Sequence, residues 1–331
     1  MLRLFQHLSP TYKYSTRFMS IYDRTPTSKT VQLLDRPFVL DSGALTRRPL
    51  QLHYWEWLGR KPTVIFCHAA SFHGRCYDSI IEYALPNSHV ISIDLRGHGR
   101  SEKHNSPYSF RWFGEDLADL IEKLDLENVV GVGHSVGGYA LVLAACKFIQ
   151  KGEKKRFSSL LLLDPVIFPH EMYTNENSQE YKNVAATFEP HRRRKSQWSS
   201  VDDMMRYFAR REPFSRWPTS VLRDYCLHAV DNDFRLLCSP NTEVSIYHNC
   251  IHESAQIYDD IRRSNCLHDI SIHVARCSKP CISPISIEAS FTAPKLAKCF
   301  AKGYDTVLEN TSHLFPMETP HLVTKLLKDI I

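Results

Sequence analysis

Seven stretches of the chain concentrate β-branched and other apolar residues between turn formers, the pattern of strands buried in a sheet. They cover residues 50–58, 63–67, 89–95, 128–133, 158–163, 270–274 and 306–309. Between several of them apolar residues recur near a 3.6-residue spacing. Over 110–124, Trp112, Phe113, Leu117, Leu120, Ile121 and Leu124 share one side, and Glu115, Asp116, Asp119 and Glu122 take the other. Residues 135–150 are apolar nearly all round, which predicts a helix packed in the interior. This alternation predicts an α/β fold with a mostly parallel central sheet and helices on both faces. It stops after 158–163. From about Pro169 to His268 the chain is dense in Arg, Trp, Tyr and His, with helical runs at 201–210 and 219–230 and no long apolar strand before Ile270. The segment reads as a helical insertion. The organisation expected is therefore a targeting or disordered segment over 1–22, a core in two parts, 23–168 and 269–331, and the insertion over 169–268.

Composition narrows this picture only slightly. A chain of 331 residues with 43% apolar and 23% charged residues is long enough for one large core with an insertion. The net charge of +5 is mild. It gives no argument for nucleic acid, and it does not repel an anionic substrate or a peripheral membrane contact. The 10 Cys are scattered, without C-x-x-C or a His/Cys cluster at zinc spacing. Cys277 and Cys281 come nearest to a motif. They read as reduced thiols, and neither a metal nor a cofactor is expected. No apolar run approaches the ~20 residues of a membrane span. The first 22 residues hold Arg3, Lys13 and Arg17, many Ser, Thr and aromatic residues, and no acid before Asp23. That composition suits a mitochondrial presequence, with a cytoplasmic location as the alternative.

The candidate chemistry sits at residues 133–137, Gly133-His134-Ser135-Val136-Gly137. A G-x-S-x-G between a buried strand and a helix has the setting of a nucleophile elbow, where glycines leave room for a tight turn. The serine hydroxyl then stands at a helix N-terminus, which favours a developing anion. A serine needs a base, and the base needs an orienting carboxylate. His313, just past the last expected strand, is placed to reach back to Ser135.

Four segments now carry a resemblance: HAASFHGR (68–75), IDLRGHGRS (93–101), GHSVGG (133–138) and SHLFPMETP (312–320). In this order they resemble the α/β-hydrolase superfamily, and the first is similar to the H-A-T-G-F-H-G-R loop of one group of microbial hydrolases. The resemblance implies an α/β-hydrolase fold, a helical cap formed by the insertion, and an oxyanion hole built from the backbone N–H groups of Val136 and Ala70. Ala69 stands where many relatives carry glycine. His68, His73 and Arg75 are expected to fix this loop by hydrogen bonds, and Asp94 to hold a turn rather than to act in catalysis. Most relatives place the triad acid after the strand that follows the cap. Here that strand runs into His273-Val274-Ala275-Arg276-Cys277-Ser278-Lys279-Pro280-Cys281 without an acid, and the next, Glu288, is expected to begin a helix. The strand before the cap ends in Asp164-Pro165, the position some superfamily members use instead. Ser135, His313 and Asp164 are thus the expected triad. Asp269 is the alternative acid, but it precedes its strand and should lie at the wrong edge of the sheet.

In the insertion, Trp198, Phe214 and Trp217 are candidates for the pocket wall or for packing inside the cap, and Arg192-Arg193-Arg194-Lys195 reads as a solvated face. The function expected is a serine hydrolase, an esterase or lipase-like enzyme acting on a small-molecule or lipid carboxylic ester through an acyl-enzyme. Thioester hydrolysis, acyl transfer with the same triad and a non-catalytic ligand-binding role remain alternatives. Epoxide hydrolase and dehalogenase chemistry are disfavoured, because those relatives carry aspartate where this chain has Ser135.

A reporter fused to residues 1–30 is expected to enter mitochondria, as fluorescence microscopy with a matrix marker would register. Diffuse cytosolic signal would refute the targeting reading.

Overall fold

The computed structural model of the chain describes residues 24–174, 189–249, 254–279 and 286–331. The basic leader at 1–22 and Cys281 fall outside them. Eight strands form one sheet: β1 (Thr27–Val39), β2 (Leu45–Trp57), β3 (Arg60–Cys67), β4 (Ser88–Asp94), β5 (Val129–His134), β6 (Phe157–Leu163), β7 (Ser271–Cys277) and β8 (Gly303–Leu308). Their order is β1-β2-β4-β3-β5-β6-β7-β8. β2 runs antiparallel to both β1 and β4, and all pairs from β4 to β8 are parallel. The expected mostly parallel sheet is present, and all seven expected strands lie in it with shifted ends.

The strand missing from the sequence reading is β1. It pairs with β2 as an outer ribbon, and most of its first half is exposed. A register shift between Leu33 and Arg36 and a left-handed Asp35 (φ 54°) interrupt its apolar run. An edge strand of this kind lacks the continuous apolar signature of the central strands.

The two-residue period of the central strands builds two cores. Leu160 and Leu162 of β6 face one, and Leu161 and Leu163 face the other, all fully buried. Over the first face pack α2 (Phe110–Lys123) and α3 (Val136–Gln150); α1 (Asp78–Ala84) and a C-terminal helix, Pro320–Lys328, contribute to the second. Each fully buried Leu contributes roughly 1.5–3 kcal/mol. Helix α3 starts directly after β5 and is buried on nearly all sides, as its apolar sequence predicts. Between β6 and β7 the described chain is helical, including α4 (Val201–Phe208), α5 (Thr219–His228), α6 (Pro240–Asn249) and α7 (Ile257–Arg263). Helices α4 and α5 close over the second core through Met204, Phe208, Val221 and Leu222.

Asp94 ends β4 and holds the turn that follows, as expected. Its carboxylate accepts hydrogen bonds from His53 Nδ1 (2.8 Å), the Gly74 amide (2.8 Å) and the Arg100 amide (2.9 Å). His53 Nε2 in turn meets Ser28 Oγ at 2.8 Å, which ties β1 to the same knot. Gly99 is required here. Its φ is +46°, and a Cβ would sit 2.2 Å from the Asp94 carboxyl carbon. Burial alone would raise the Asp94 pKa, but the His53 hydrogen bond and the neighbouring imidazoles outweigh it and hold the group below the ordinary carboxylate range. The folded pKa is below the unfolded one. The stability this contributes is therefore present above about pH 4 and fades as acid protonates the unfolded chain and then the folded one. Asp94→Asn is expected to lower unfolding stability by about 3 kcal/mol at pH 7, with the gap narrowing below about pH 4. Urea titrations at both pH values test this, and equal stability at pH 7 would contradict it.

Candidate active site

Ser135 lies between β5 and α3 in a left-handed conformation (φ 57°, ψ −119°), a region a serine rarely adopts. The turn is held from both sides. The Ser135 amide donates to the Leu163 carbonyl at 3.0 Å, and the Ser135 carbonyl accepts from the amides of Gly138 at 3.0 Å and Val166 at 3.1 Å. The two glycines of the motif are needed for contact. A Cβ on Gly133 would lie 2.6 Å from the Gly137 carbonyl oxygen, and one on Gly137 would lie 2.1 Å from that of Cys67. The sequence thus builds a strained turn that presents the serine at the N-terminus of α3.

Three residues far apart in sequence meet at the carboxyl edge of the sheet. Ser135 Oγ is 3.0 Å from His313 Nε2, and His313 Nδ1 is 2.5 Å from Asp164 Oδ2. Ser135 and His313 are each 6% exposed, and Asp164 is 0% exposed. Asp164 follows β6 with φ 44°, and its amide donates to Ala275 at the end of β7. A fully buried carboxylate needs donors. Besides His313 it receives Ser290 Oγ, the Phe291 amide at 3.2 Å and Thr292 Oγ1 at 3.3 Å. These come from residues 290–292, in the loop after β7 that carries no triad acid. The sequence reading missed them, and hydroxyls standing in place of the acid are the signal available in that loop.

His134 was also missed. It is fully buried, and burial pushes its pKa well below the usual imidazole value, so it is neutral near pH 7. Its Nε2 donates to the His313 carbonyl at 2.9 Å, and its Nδ1 accepts from Tyr77 Oη at 3.2 Å. The residue before the serine therefore latches the backbone of the histidine loop.

Ala69, Ala70 and Val136 line a cavity beside Ser135. Among the described residues, the amides of Ala70 and Val136 donate no hydrogen bond. The left-handed backbone of this loop falls at Ser71 (φ 71°), not at Ala69. The loop is pinned as expected. His68 Nδ1 donates to the Ala69 carbonyl (2.7 Å) while Nε2 accepts from the Leu95 amide (2.9 Å). His73 Nε2 donates to the Tyr225 carbonyl on α5 at 2.9 Å, and burial lowers its pKa to about 4. Arg75 is paired with Asp78.

The cavity encloses about 500 Å³, within the range of small-molecule sites. The core supplies Ser135, His313 and several apolar residues, and the helical segment after β6 supplies Phe208, Phe214, Tyr225 and Tyr247. Of the insertion aromatics named above, Phe214 lines the cavity, whereas Trp198 and Trp217 are buried in packing. The basic run is only partly a solvated face. Arg192, Arg193 and Lys195 are exposed, but Arg194 turns inward to the cavity and pairs with Glu243 on α6. Its i,i+1 neighbours being charged disguised it. Glu288 sits in a turn rather than opening a helix, where it pairs with Arg216. Asp269 lies before β7 at the opposite edge of the sheet, exposed and beside Lys154 and His268. Among the described residues no group of His, Cys, Asp and Glu has the arrangement of a metal site.

Residues 64–326 match the sequence profile described as the alpha/beta hydrolase family. The chain is 30% identical over 122 residues to the non-heme chloroperoxidase CPO-A1 of Kitasatospora aureofaciens, across 37% of this chain and 42% of that protein. The chain thus matches less than half the length of this curated relative. In three dimensions it is similar to E-2-(acetamidomethylene)succinate hydrolase, with a TM-score of 0.65, 18% identity, and coverage of 90% of this chain and 98% of the other. It is likewise similar to a thermophilic esterase from Thermogutta terrifontis, with a TM-score of 0.60, 19% identity, and coverage of 91% and 97%. At these identities the structural likeness speaks for the fold.

Gly137→Ala is expected to destabilise the chain by about 1–3 kcal/mol, because the methyl group collides with the backbone of β3 rather than with a movable side chain. Thermal melting measures it, and an unchanged melting temperature would contradict the close approach.

Proposed function

The chain belongs to the alpha/beta hydrolase family, and from that premise we propose that it is a serine hydrolase that cleaves carboxylic esters through an acyl-enzyme. The observation that carries this reading is the unbroken hydrogen-bonded chain from Ser135 through His313 to Asp164, opening on a 500 Å³ cavity.

In this reading His313 Nε2 takes the Ser135 proton as Oγ attacks the ester carbonyl. Asp164 holds the Nδ1–H and stabilises the imidazolium that forms. The carbonyl oxygen becomes an oxyanion, and the free amides of Val136 and Ala70 are its donors, with the α3 N-terminus behind the first. Collapse expels the alcohol, which receives the proton from His313. Water, activated by the same histidine, then attacks the acyl-enzyme and releases the acid. The helical segment between β6 and β7 acts as a cap that shapes the pocket and excludes bulk water. The predominantly apolar lining supports esters with apolar groups, including lipid-derived ones. Thioester substrates and acyl transfer to an alcohol use the same steps with a different leaving group or acceptor. For location we propose mitochondria, on the composition of residues 1–22.

Ser135→Ala is expected to abolish fluorophosphonate labelling and to lower kcat by roughly 10³-fold or more with the fold retained. Asp164→Asn keeps the shape but offers the wrong partner to His313, and a loss on the order of 10⁴ is the value of the equivalent change in a serine protease. Asp269→Asn should change the rate little. Rates on a panel of acyl esters, with melting curves as controls, test all three. A dead Asp269→Asn enzyme beside a normal Asp164→Asn enzyme would overturn the assignment.

A further inference from the structure

Between α4 and α5 the chain carries Glu212, Pro213 and Phe214 into the cavity wall. The short helical turn Phe214–Arg216 follows directly. The guanidinium at its end meets three carboxylates from three segments. Arg216 Nε pairs with Glu212 Oε2 at 2.9 Å, within the same stretch of chain. Its Nη1 and Nη2 donate to the two oxygens of Glu288 at 3.1 and 2.6 Å. Nη2 also lies 3.0 Å from Glu318 Oε1. Among the described residues, the ion pairs of all three carboxylates run to this one cation.

Glu288 and Glu318 sit on the two core loops that hold His313. Ile287, next to Glu288, accepts the His313 amide at 2.8 Å. Just beyond Glu288, residues 290–292 supply the donors to Asp164. Glu318 accepts the Ser312 hydroxyl at 2.9 Å, and the same Ser312 oxygen accepts the Leu314 amide at 3.0 Å, so this knot brackets His313. One arginine of the helical segment thus grips both loops that position the base. The three carboxylates differ in what they would lose with it. The side chains of Glu212 and Glu288 are 68% and 44% exposed, and water can compensate them; that of Glu318 is 11% exposed. Burial raises the Glu318 pKa, and the Ser312 hydrogen bond and Arg216 oppose that rise. An isolated surface pair would contribute little, but here a bidentate contact sits inside a network.

We propose that Arg216 is a positioning residue of the hydrolase: by clamping Glu288 and Glu318 it makes the alignment of His313 with Ser135 and Asp164 depend on the seating of the helical segment over the cavity. This rests on the ester-hydrolase reading above and adds a residue that acts on the reaction through His313.

The test measures kcat and KM on p-nitrophenyl butyrate, with active sites counted by fluorophosphonate and the rate of that labelling followed separately. Arg216→Met removes the charge and keeps an apolar stem. Its kcat per active site is expected to fall by about tenfold or more, as for misaligned catalytic groups, with labelling slowed in parallel. KM should stay within about twofold, because the lost interaction serves the chemical step. Arg216→Met/Glu318→Gln is expected to recover part of the loss. It strands no charge beside the histidine loop, and the glutamine oxygen still accepts from Ser312. A merely structural arginine would lower the melting temperature or the count of active sites and leave the rate of each site unmoved. An unchanged kcat per active site, a loss confined to KM, or a double variant no faster than Arg216→Met would overturn the positioning role and leave the hydrolase intact. If Arg216→Met does not fold, Glu318→Gln alone decides: a severalfold fall in kcat at constant KM supports the clamp, and an unchanged kcat overturns it. Absence of turnover in the unaltered chain, with Ser135 unlabelled, would overturn both readings.

Discussion

A carboxylate with no solvent exposure at the end of β6 is the constraint around which this molecule is arranged. Leaving such a charge unpaired in the interior costs several kcal/mol. Asp164 is instead met by the His313 imidazole, two hydroxyls and a backbone amide. Each donor has a structural consequence. The Ser290–Thr292 loop is drawn under the end of β6, and the His313 ring is fixed in the tautomer that leaves Nε2 facing Ser135. The left-handed backbone at Asp164 (φ 44°) and at Ser135 (φ 57°) is strain kept by this surrounding network.

The sheet explains why these groups converge. β3 to β8 run parallel, so the loops after each of them gather at one edge. Ser135 leaves β5, Asp164 leaves β6, the hydroxyl loop leaves β7 and His313 leaves β8. The loop after β3 brings Ala70 to the same place, held by His68 and, across to α5, by His73. His134 adds a bond from the strand to the histidine loop. Positioning is thus shared between neutral buried imidazoles, which keep their hydrogen bonds because burial prevents them from charging.

Much of this was legible in the chain. The central strands declared themselves by continuous apolar runs, and the elbow by two glycines around a serine between a strand and a helix. The choice of Asp164 over Asp269 followed from which end of a strand each occupies, since parallel neighbours put the two at opposite edges. What was illegible has physical causes. β1 is an edge ribbon with a bulge, so its pattern mixes exposed charge with apolar residues. Ser290 and Thr292 are ordinary loop hydroxyls until a carboxylate 126 and 128 residues earlier, respectively, is folded against them. Arg194 sits among Arg192, Arg193 and Lys195, and nothing in a run of four basic residues distinguishes the one whose side chain turns inward to Glu243.

The central claim is that Ser135, driven by His313 and Asp164, becomes covalently acylated. Rapid mixing with an activated aryl ester, acid quenching within the first turnover and intact-protein mass spectrometry followed by peptide mapping address it directly. The account predicts a burst of released alcohol matched by one acyl group per chain, carried on the peptide containing Ser135. An acyl group mapped to any other residue, or steady hydrolysis with no burst and no adduct when deacylation is slowed at low pH, would contradict it.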